Sequence, residues 1–163
     1  SELLRETKVE ASRITFEITE GLLLDPSRNT HATLEKIREM GFLIALDDFG
    51  TGFSSLKYLI DFRFDKLKID RSFVTGLSRT KSAQTIIRSV VQLGRAMGMD
   101  VVAEGIETSF EASTMQALGC DFMQGYYFAR ALPVADVEPF VTSFNDGTRS
   151  VDLPGNGLAL PSS

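Results

Sequence analysis

Polar and mostly acidic residues recur along this sequence in short groups, each of which follows a short apolar or β-branched run. They are Glu17 and Glu20, Asp47 and Asp48, Lys68 and Asp70, Glu104 and Glu107, and finally Gln124. Carboxylates without cysteine or histidine nearby are hard oxygen ligands, which favour Mg²⁺, Mn²⁺ or Ca²⁺ over zinc. Carboxylates that converge repel one another unless cations neutralise them. A lysine among metal-bound carboxylates suits an anionic substrate and a hydrolytic water.

Each group stands at the end of a predicted strand. Alternation or short apolar runs predict strands at 14–19, 42–46, 67–69, 101–103 and 122–124. The carboxyl ends of parallel strands meet at one edge of a sheet, which is where α/β proteins bind ligands. Lys68 and Asp70 are two residues apart, so they share one face of their strand. The polar groups are therefore expected to converge at a single edge.

Helical patterns separate the predicted strands. They cover about 30–40, 54–60, 83–97, 108–119 and 134–144. The fourth helix begins with a capping box from Thr108 to Glu111 and stops at Gly119. In the third helix, the apolar stripe expected to face the sheet consists of Ile86, Val90, Leu93 and Met97. Met97, Met99 and Met115 are expected to belong to the core.

Five successive strand–helix units predict an α/β fold with parallel strands and right-handed crossovers. Two architectures satisfy this pattern. One is a doubly wound open sheet, and the other is a partial (β/α)8 TIM-type barrel of about five units, about three short of a complete barrel. A dinucleotide-binding fold is disfavoured because no GxGxxG motif follows the first strand.

Composition limits the class of protein. The 163 residues, 43% of them hydrophobic, fit one domain with its own core. A net charge of −5 argues against a broad surface for a nucleic-acid polymer. The single cysteine excludes an internal disulfide and a cysteine-based zinc site, so a reducing, cytoplasmic location is expected. No apolar run approaches the roughly 18 residues of a membrane helix. We expect a domain portion over 1–144 and a flexible tail over 145–163, where glycine, proline and serine increase.

Each acid taken singly has a simpler explanation. A strand-end acid is most often a solvated loop residue or a helix cap, and Asp48 and Thr108 could be caps. Glu107 could be an acid favoured by the dipole of the helix that follows. His31, at a predicted helix start, is expected to be solvated. Because five consecutive strands end in the same chemistry, this explanation is poor for the whole set.

Five sequence motifs resemble a known family. They are Phe16-Glu17-Ile18-Thr19-Glu20, Asp47-Asp48-Phe49-Gly50-Thr51-Gly52-Phe53-Ser54-Ser55-Leu56, Lys68-Ile69-Asp70, Ala103-Glu104-Gly105-Ile106-Glu107-Thr108 and Gln124-Gly125-Tyr126. Their order and residue identities resemble those of the EAL-domain family, phosphodiesterases that hydrolyse cyclic di-GMP to the linear dinucleotide pGpG. The resemblance runs from about Ile14 to Pro133.

The resemblance implies a two-metal site for Mg²⁺ or Mn²⁺. Glu17 and Asp47 would ligate one ion, and Asp47, Asp48 and Glu104 the other. Lys68 would contact the attacking water or the scissile phosphate, and catalysis would fall to Lys68 and Glu104.

The resemblance also assigns supporting roles and partners. Glu20 would hold the loop 49–53, while Asp70, Glu107 and Gln124 would orient metal-binding groups and substrate. Cyclic di-GMP would be the small-molecule partner, with a homodimer and further domains in the full-length protein.

The sequence departs from the family at its beginning. The family is named for a Glu-Ala-Leu motif on an early strand, and no such tripeptide occurs here. An asparagine ligand on the next barrel strand is absent too. The chain therefore resembles the C-terminal two-thirds of an EAL domain. Two hypotheses follow: the larger part of a metal-dependent cyclic di-GMP phosphodiesterase, or a non-catalytic module that senses the nucleotide or binds a protein.

Overall fold

A five-stranded parallel sheet organises the chain. The structure, a computed structural model, describes residues 2–23, 29–50, 56–77 and 81–146. The strands are β1 (Thr15–Thr19), β2 (Leu43–Phe49), β3 (Lys66–Ile69), β4 (Asp100–Ala103) and β5 (Phe122–Met123). Their order in the sheet is β1-β2-β3-β4-β5, and every neighbouring pair is parallel. Because each crossover steps in the same direction, the sheet has the winding of a (β/α)8 barrel rather than of a doubly wound sheet. The predicted partial barrel is confirmed.

Helices connect these strands. They are α1 (Glu2–Thr7), α2 (Glu20–Leu23), α3 (Thr30–Glu39), α4 (Leu56–Asp61), α5 (Arg71–Gly76), α6 (Lys81–Ala96), α7 (Ser109–Leu118) and α8 (Val134–Asn145), with one 3₁₀ turn at Ala11–Arg13. Sequence periodicity did not predict α1, α2 or α5, which have at most six residues each. None of the described helices is both long and apolar enough to cross a membrane. Ser54, where the predicted second helix begins, and the part of the predicted tail beyond Asp146 lie outside the described residues.

The predicted capping box opens α7. Thr108 Oγ1 accepts a hydrogen bond from Glu111 N at 3.2 Å, and Glu111 Oε2 accepts one from Thr108 N at 2.9 Å. The helix ends where Gly119 adopts a left-handed φ of +92°. Thr108 is therefore a helix cap, as its simpler explanation proposed.

Alternate strand residues face opposite sides of the sheet. The side that packs against helices is fully buried, with Ile44, Leu46, Leu67, Ile69, Val101 and Ala103 each at most 2% exposed. On the other side, which faces the barrel interior, Phe122 remains 42% exposed and Lys66 Nζ lies 5.0 Å from its ring centroid. Among the described residues, β1 pairs only with β2 and β5 only with β4.

Helix α6 packs on the sheet through a different stripe from the one predicted. Its buried residues include Ala83, Ile87 and Val91, whereas Ile86 and Met97 are 46% and 37% exposed. The prediction was wrong for Ile86 and Met97, because apolar residues occupy two neighbouring stripes of this helix. The expected burial of Met99 and Met115 is confirmed.

Gly94 explains why α6 lies with this stripe against the sheet. A Cβ atom at Gly94 would come within 2.5 Å of Val101 Cγ2. The absence of a side chain at Gly94 lets the helix axis approach β4 at Val101. Hydrophobicity alone does not reveal this, because small residues add little to an apolar pattern.

The segment that follows β4 is fixed by close packing under Arg71, the first residue of α5. Gly105 has φ +68°, and a Cβ atom there would lie 2.4 Å from Arg71 Cγ. Arg71 Nη2 lies 2.6 Å from Glu107 Oε1. The arginine side chain thus spans the turn between Glu104 and Glu107 and holds it against α5.

Two adjacent isoleucines of α6 test which stripe is buried. Ile87→Ala should lower the free energy of unfolding by about 2–5 kcal/mol, because it leaves a cavity in the core. Ile86→Ala should cost less than about 1 kcal/mol, since its side chain is largely in water. Urea denaturation of both variants measures the difference, and helix propensity cancels between them. Equal losses would show that the stripe is misplaced.

Alanine substitutions at two glycines with left-handed backbone conformations distinguish the cost of backbone strain from the cost of a steric clash. Gly98 has φ +72°, and a Cβ atom added there would have no neighbour within 4 Å, so Gly98→Ala carries backbone strain alone, about 1–2 kcal/mol. Gly105→Ala adds the collision with Arg71 and should cost at least about 1 kcal/mol more. Denaturant midpoints of the two variants give the comparison. Equal destabilisation would mean that Arg71 does not pack on Gly105.

Candidate functional site

The strand ends bring acids from three strands around one lysine. Lys68 Nζ lies 2.7 Å from Glu17 Oε2, 3.0 Å from Asp47 Oδ1 and 2.6 Å from Glu104 Oε1. Glu17 belongs to β1, Asp47 to β2 and Lys68 to β3, while Glu104 directly follows β4. The expected convergence at one edge of the sheet therefore holds for these four side chains.

Lys68 is enclosed by the carboxylates that it contacts. Among the residues that the structure describes, it is the one buried charged residue, 5% exposed. The sequence around Lys68 did not indicate this burial, which arises because acids from β1, β2 and the end of β4 surround its ammonium group. Burial alone would lower the pKa of Lys68, but hydrogen bonds to Glu104, Glu17 and Asp47 outweigh it and raise that pKa. The side chain therefore stays charged at neutral pH.

A β-bulge places Asp47 and Asp48 together. Strand β2 extends beyond the predicted Leu46 to Phe49. Leu46 pairs with Leu67, and Phe49 pairs with Ile69. Between these two pairs, β2 contains one more residue than β3. Asp48 has φ +55°, a conformation that aspartate tolerates better than most residues. In a regular strand, two successive side chains point to opposite faces of the sheet. The bulge changes the direction of one of them.

Three carboxylates at this edge lie within reach of a single ion. Oxygens of Asp47, Asp48 and Glu104 all lie within 4.8 Å of one another. Together with Glu17, these residues form the acid cluster. Burial raises the pKa of Glu104, opposed by Lys68 and assisted by Asp47 and Glu17. Burial, then the charges of Asp47 and Asp70, raise the pKa of Asp48. A divalent cation would relieve this excess of negative charge, and the all-oxygen donor set fits Mg²⁺ or Mn²⁺.

Two predicted supporting residues contact the site directly. Gln124 Nε2 donates to Glu104 Oε1 at 2.7 Å, which fixes the orientation of that carboxylate. Glu20 Oε1 accepts a hydrogen bond from Gly50 N at 3.1 Å, at the start of the loop that it was expected to hold. The remainder of that loop, 51–53, lies outside the described residues.

Asp70 and Glu107 were predicted to orient metal-binding groups and substrate, and both side chains make contacts with α5. Asp70 Oδ1 accepts a hydrogen bond from Ser72 N at 2.9 Å and caps α5. Burial would raise the pKa of Asp70, but the hydrogen bonds from Ser72 and Arg71 prevail and lower it. Glu107 is paired with Arg71, so it acts on the turn after Glu104 rather than within the acid cluster. His31, as expected, is exposed, with Nδ1 3.7 Å from Glu35 Oε1.

Sequence reasoning assigned no role to Arg71 or Gly105. Both lie beside motif acids, Arg71 after Asp70 and Gly105 after Glu104, and that adjacency is the signal that could have found them. Their pairing joins two segments far apart in sequence, which no local pattern reveals.

Comparison with known proteins gives a consistent result. A sequence model of the family described as "EAL domain" matches residues 1–131. The cyclic di-GMP phosphodiesterase RocR of Pseudomonas aeruginosa is 40% identical over 133 residues, covering 82% of this chain and 34% of RocR. The chain spans between 16% and 18% of the length of several other curated relatives.

Solved structures share the fold. The crystal structure of the EAL domain of Mycobacterium smegmatis DcpA matches with a TM-score of 0.79 and 33% identity, covering 87% of this chain and 64% of that one. The manganese and cyclic di-GMP complex of Klebsiella pneumoniae BlrP1 at pH 9.0 matches with a TM-score of 0.74 and 32% identity, covering 79% of this chain and 33% of that one. The chain belongs to the EAL domain family.

Proposed function

We propose that this chain is the larger part of a metal-dependent phosphodiesterase domain that hydrolyses cyclic di-GMP to linear pGpG. The observation that carries the proposal is the group formed by Asp47, Asp48 and Glu104, whose carboxylate oxygens lie within 4.8 Å of one another at the carboxyl edge of the sheet. RocR, named as a cyclic di-GMP phosphodiesterase, and BlrP1, solved with manganese and cyclic di-GMP, support the substrate and the type of metal.

In this proposal the acids divide between two sites for Mg²⁺ or Mn²⁺. Asp47, Asp48 and Glu104 would hold one ion, and Glu17 and Asp47 would contribute to the other. Two such ions, when bound, supply activation of a water and stabilisation of the leaving oxygen in an in-line displacement.

The protein side chains have separate tasks. Lys68 supplies positive charge to the scissile phosphate or its attacking water, and it is carried on a strand that is hydrogen-bonded on both sides. Gln124 holds the Glu104 carboxylate in one orientation. Glu20 fixes the start of the loop after β2, and the Arg71–Glu107 pair fixes the turn after β4.

The proposal extends to the surroundings of the domain. Residues 1–144 form the domain portion. The full-length protein contains further domains and forms a homodimer. In the 163-residue chain taken alone, the unpaired outer edges of β1 and β5 among the described residues support an association that covers them. The single cysteine, which can form no internal disulfide, supports a cytoplasmic location.

The direct test is hydrolysis by an extended protein that carries a Glu-Ala-Leu motif and the barrel strands before β1. It should release pGpG from cyclic di-GMP only with Mg²⁺ or Mn²⁺. The 163-residue chain alone should be far slower, because the first metal then lacks two expected ligands. Glu104→Gln in the extended protein should reduce turnover by at least about a hundredfold, since it weakens a metal ligand.

Glu35→Gln provides the matched control. Glu35 loses the same charge but is exposed beside His31, remote from the acid cluster, so turnover should be unchanged. If the extended protein binds cyclic di-GMP with its metals and never cleaves it, the nucleotide-sensing module is the better description.

A further inference from the structure

Lys68 contacts two of the three carboxylates that could hold a metal ion. Its ammonium contacts Asp47 Oδ1 at 3.0 Å and Glu104 Oε1 at 2.6 Å. Both acids belong to the group of three whose oxygens could hold one ion. A carboxylate oxygen that accepts a short charge-assisted hydrogen bond is less able to coordinate a metal, and an ammonium at this distance repels a divalent cation.

We propose that Lys68 is the internal counterion of the acid cluster and competes with divalent cations for its carboxylates. Metal loading then requires the ammonium group to withdraw from Asp47 and Glu104. The inference rests on the metal site of the proposed function, and it does not depend on the substrate.

The position of Lys68 supports competition rather than chance contact. It lies on β3, the middle strand, and its neighbours Leu67 and Ile69 are at most 1% exposed. The backbone therefore cannot move the ammonium away from the acids, and only the flexible four-carbon stem can. Its position among acids from β1, β2 and the end of β4 makes it the shared cation of carboxylates that would otherwise repel one another.

The proposal fixes the sign of two effects. Loss of the Lys68 charge should destabilise the metal-free protein, because three converging carboxylates lose their cation. The same loss should strengthen metal binding, because the incoming ion meets neither a competing hydrogen-bond donor nor a positive charge. If Lys68 instead assisted metal binding, loss of its charge would weaken metal binding.

Lys66 supplies a matched control. It is two residues earlier on β3 and faces the same side of the sheet, but its ammonium lies over the Phe122 ring, 5.0 Å from the centroid. Lys66→Met therefore removes the same charge from the same strand without removing the cation of the acid cluster.

The experiment measures thermal stability and Mn²⁺ affinity of the 163-residue chain for wild type, Lys68→Met and Lys66→Met. In metal-free buffer, Lys68→Met should melt below wild type. Mn²⁺ should raise its melting temperature more than that of wild type, and calorimetric titration should show binding at least about tenfold tighter. Lys66→Met should match wild type in Mn²⁺ affinity. Equal or weaker Mn²⁺ binding by Lys68→Met would overturn the proposal.

Lysine acylation of the wild-type chain tests the competition between Lys68 and Mn²⁺ even if Lys68→Met does not fold. Mass spectrometry should show slower labelling of Lys68 than of Lys66 without metal. Mn²⁺ should accelerate labelling of Lys68 by releasing its ammonium group, and should leave Lys66 unchanged. Slower or unchanged labelling of Lys68 on Mn²⁺ binding would overturn the proposal.

The two proposals fail in different ways. Absence of Mn²⁺ binding to wild type and to Lys68→Met alike would contradict both the competition and the metal site itself. Mn²⁺ competition without hydrolysis by the extended protein would contradict only the proposed enzymatic function.

Discussion

The ion pairs of Lys68 are the interaction on which the functional edge of this sheet depends. One ammonium lies within 3.0 Å of carboxylates from β1, β2 and the end of β4. Acids brought this close would repel one another without a cation, so the lysine permits the strands to carry them at one edge. Because β3 is the middle strand, Lys68 lies between the acids of the strands on both sides and partly neutralises them.

Strand geometry imposes a second constraint, which the β-bulge resolves. Successive residues of a regular strand face opposite sides, so Asp47 and Asp48 could not both serve one site. The extra residue of β2 between Leu46 and Phe49 changes this, and Asp48 takes a left-handed conformation. Such conformations cost free energy and recur where function requires them. The bulge therefore connects backbone strain at Asp48 directly to the group of three carboxylates.

Local patterns in the sequence predicted the parts of this protein that local physics determines. Strand–helix alternation predicted the parallel sheet, Thr108 and Glu111 predicted the capping box, and the acids at strand ends predicted the cluster. The patterns failed where tertiary contacts decide. The buried stripe of α6 depends on how Gly94 fits against Val101, and the partner of Glu107 is an arginine from another strand–helix unit. The burial of Lys68 depends on acids contributed by three separate segments, so its own sequence neighbourhood could not predict it.

In the proposed function, acids from separate strands form a metal site at the carboxyl edge of a partial EAL barrel. Anomalous diffraction from crystals of the chain soaked in Mn²⁺ tests this site. A manganese peak is expected within about 2.5 Å of carboxylate oxygens of Asp47, Asp48 and Glu104. Manganese bound only at other positions, with these three carboxylates free of the ion, would contradict it.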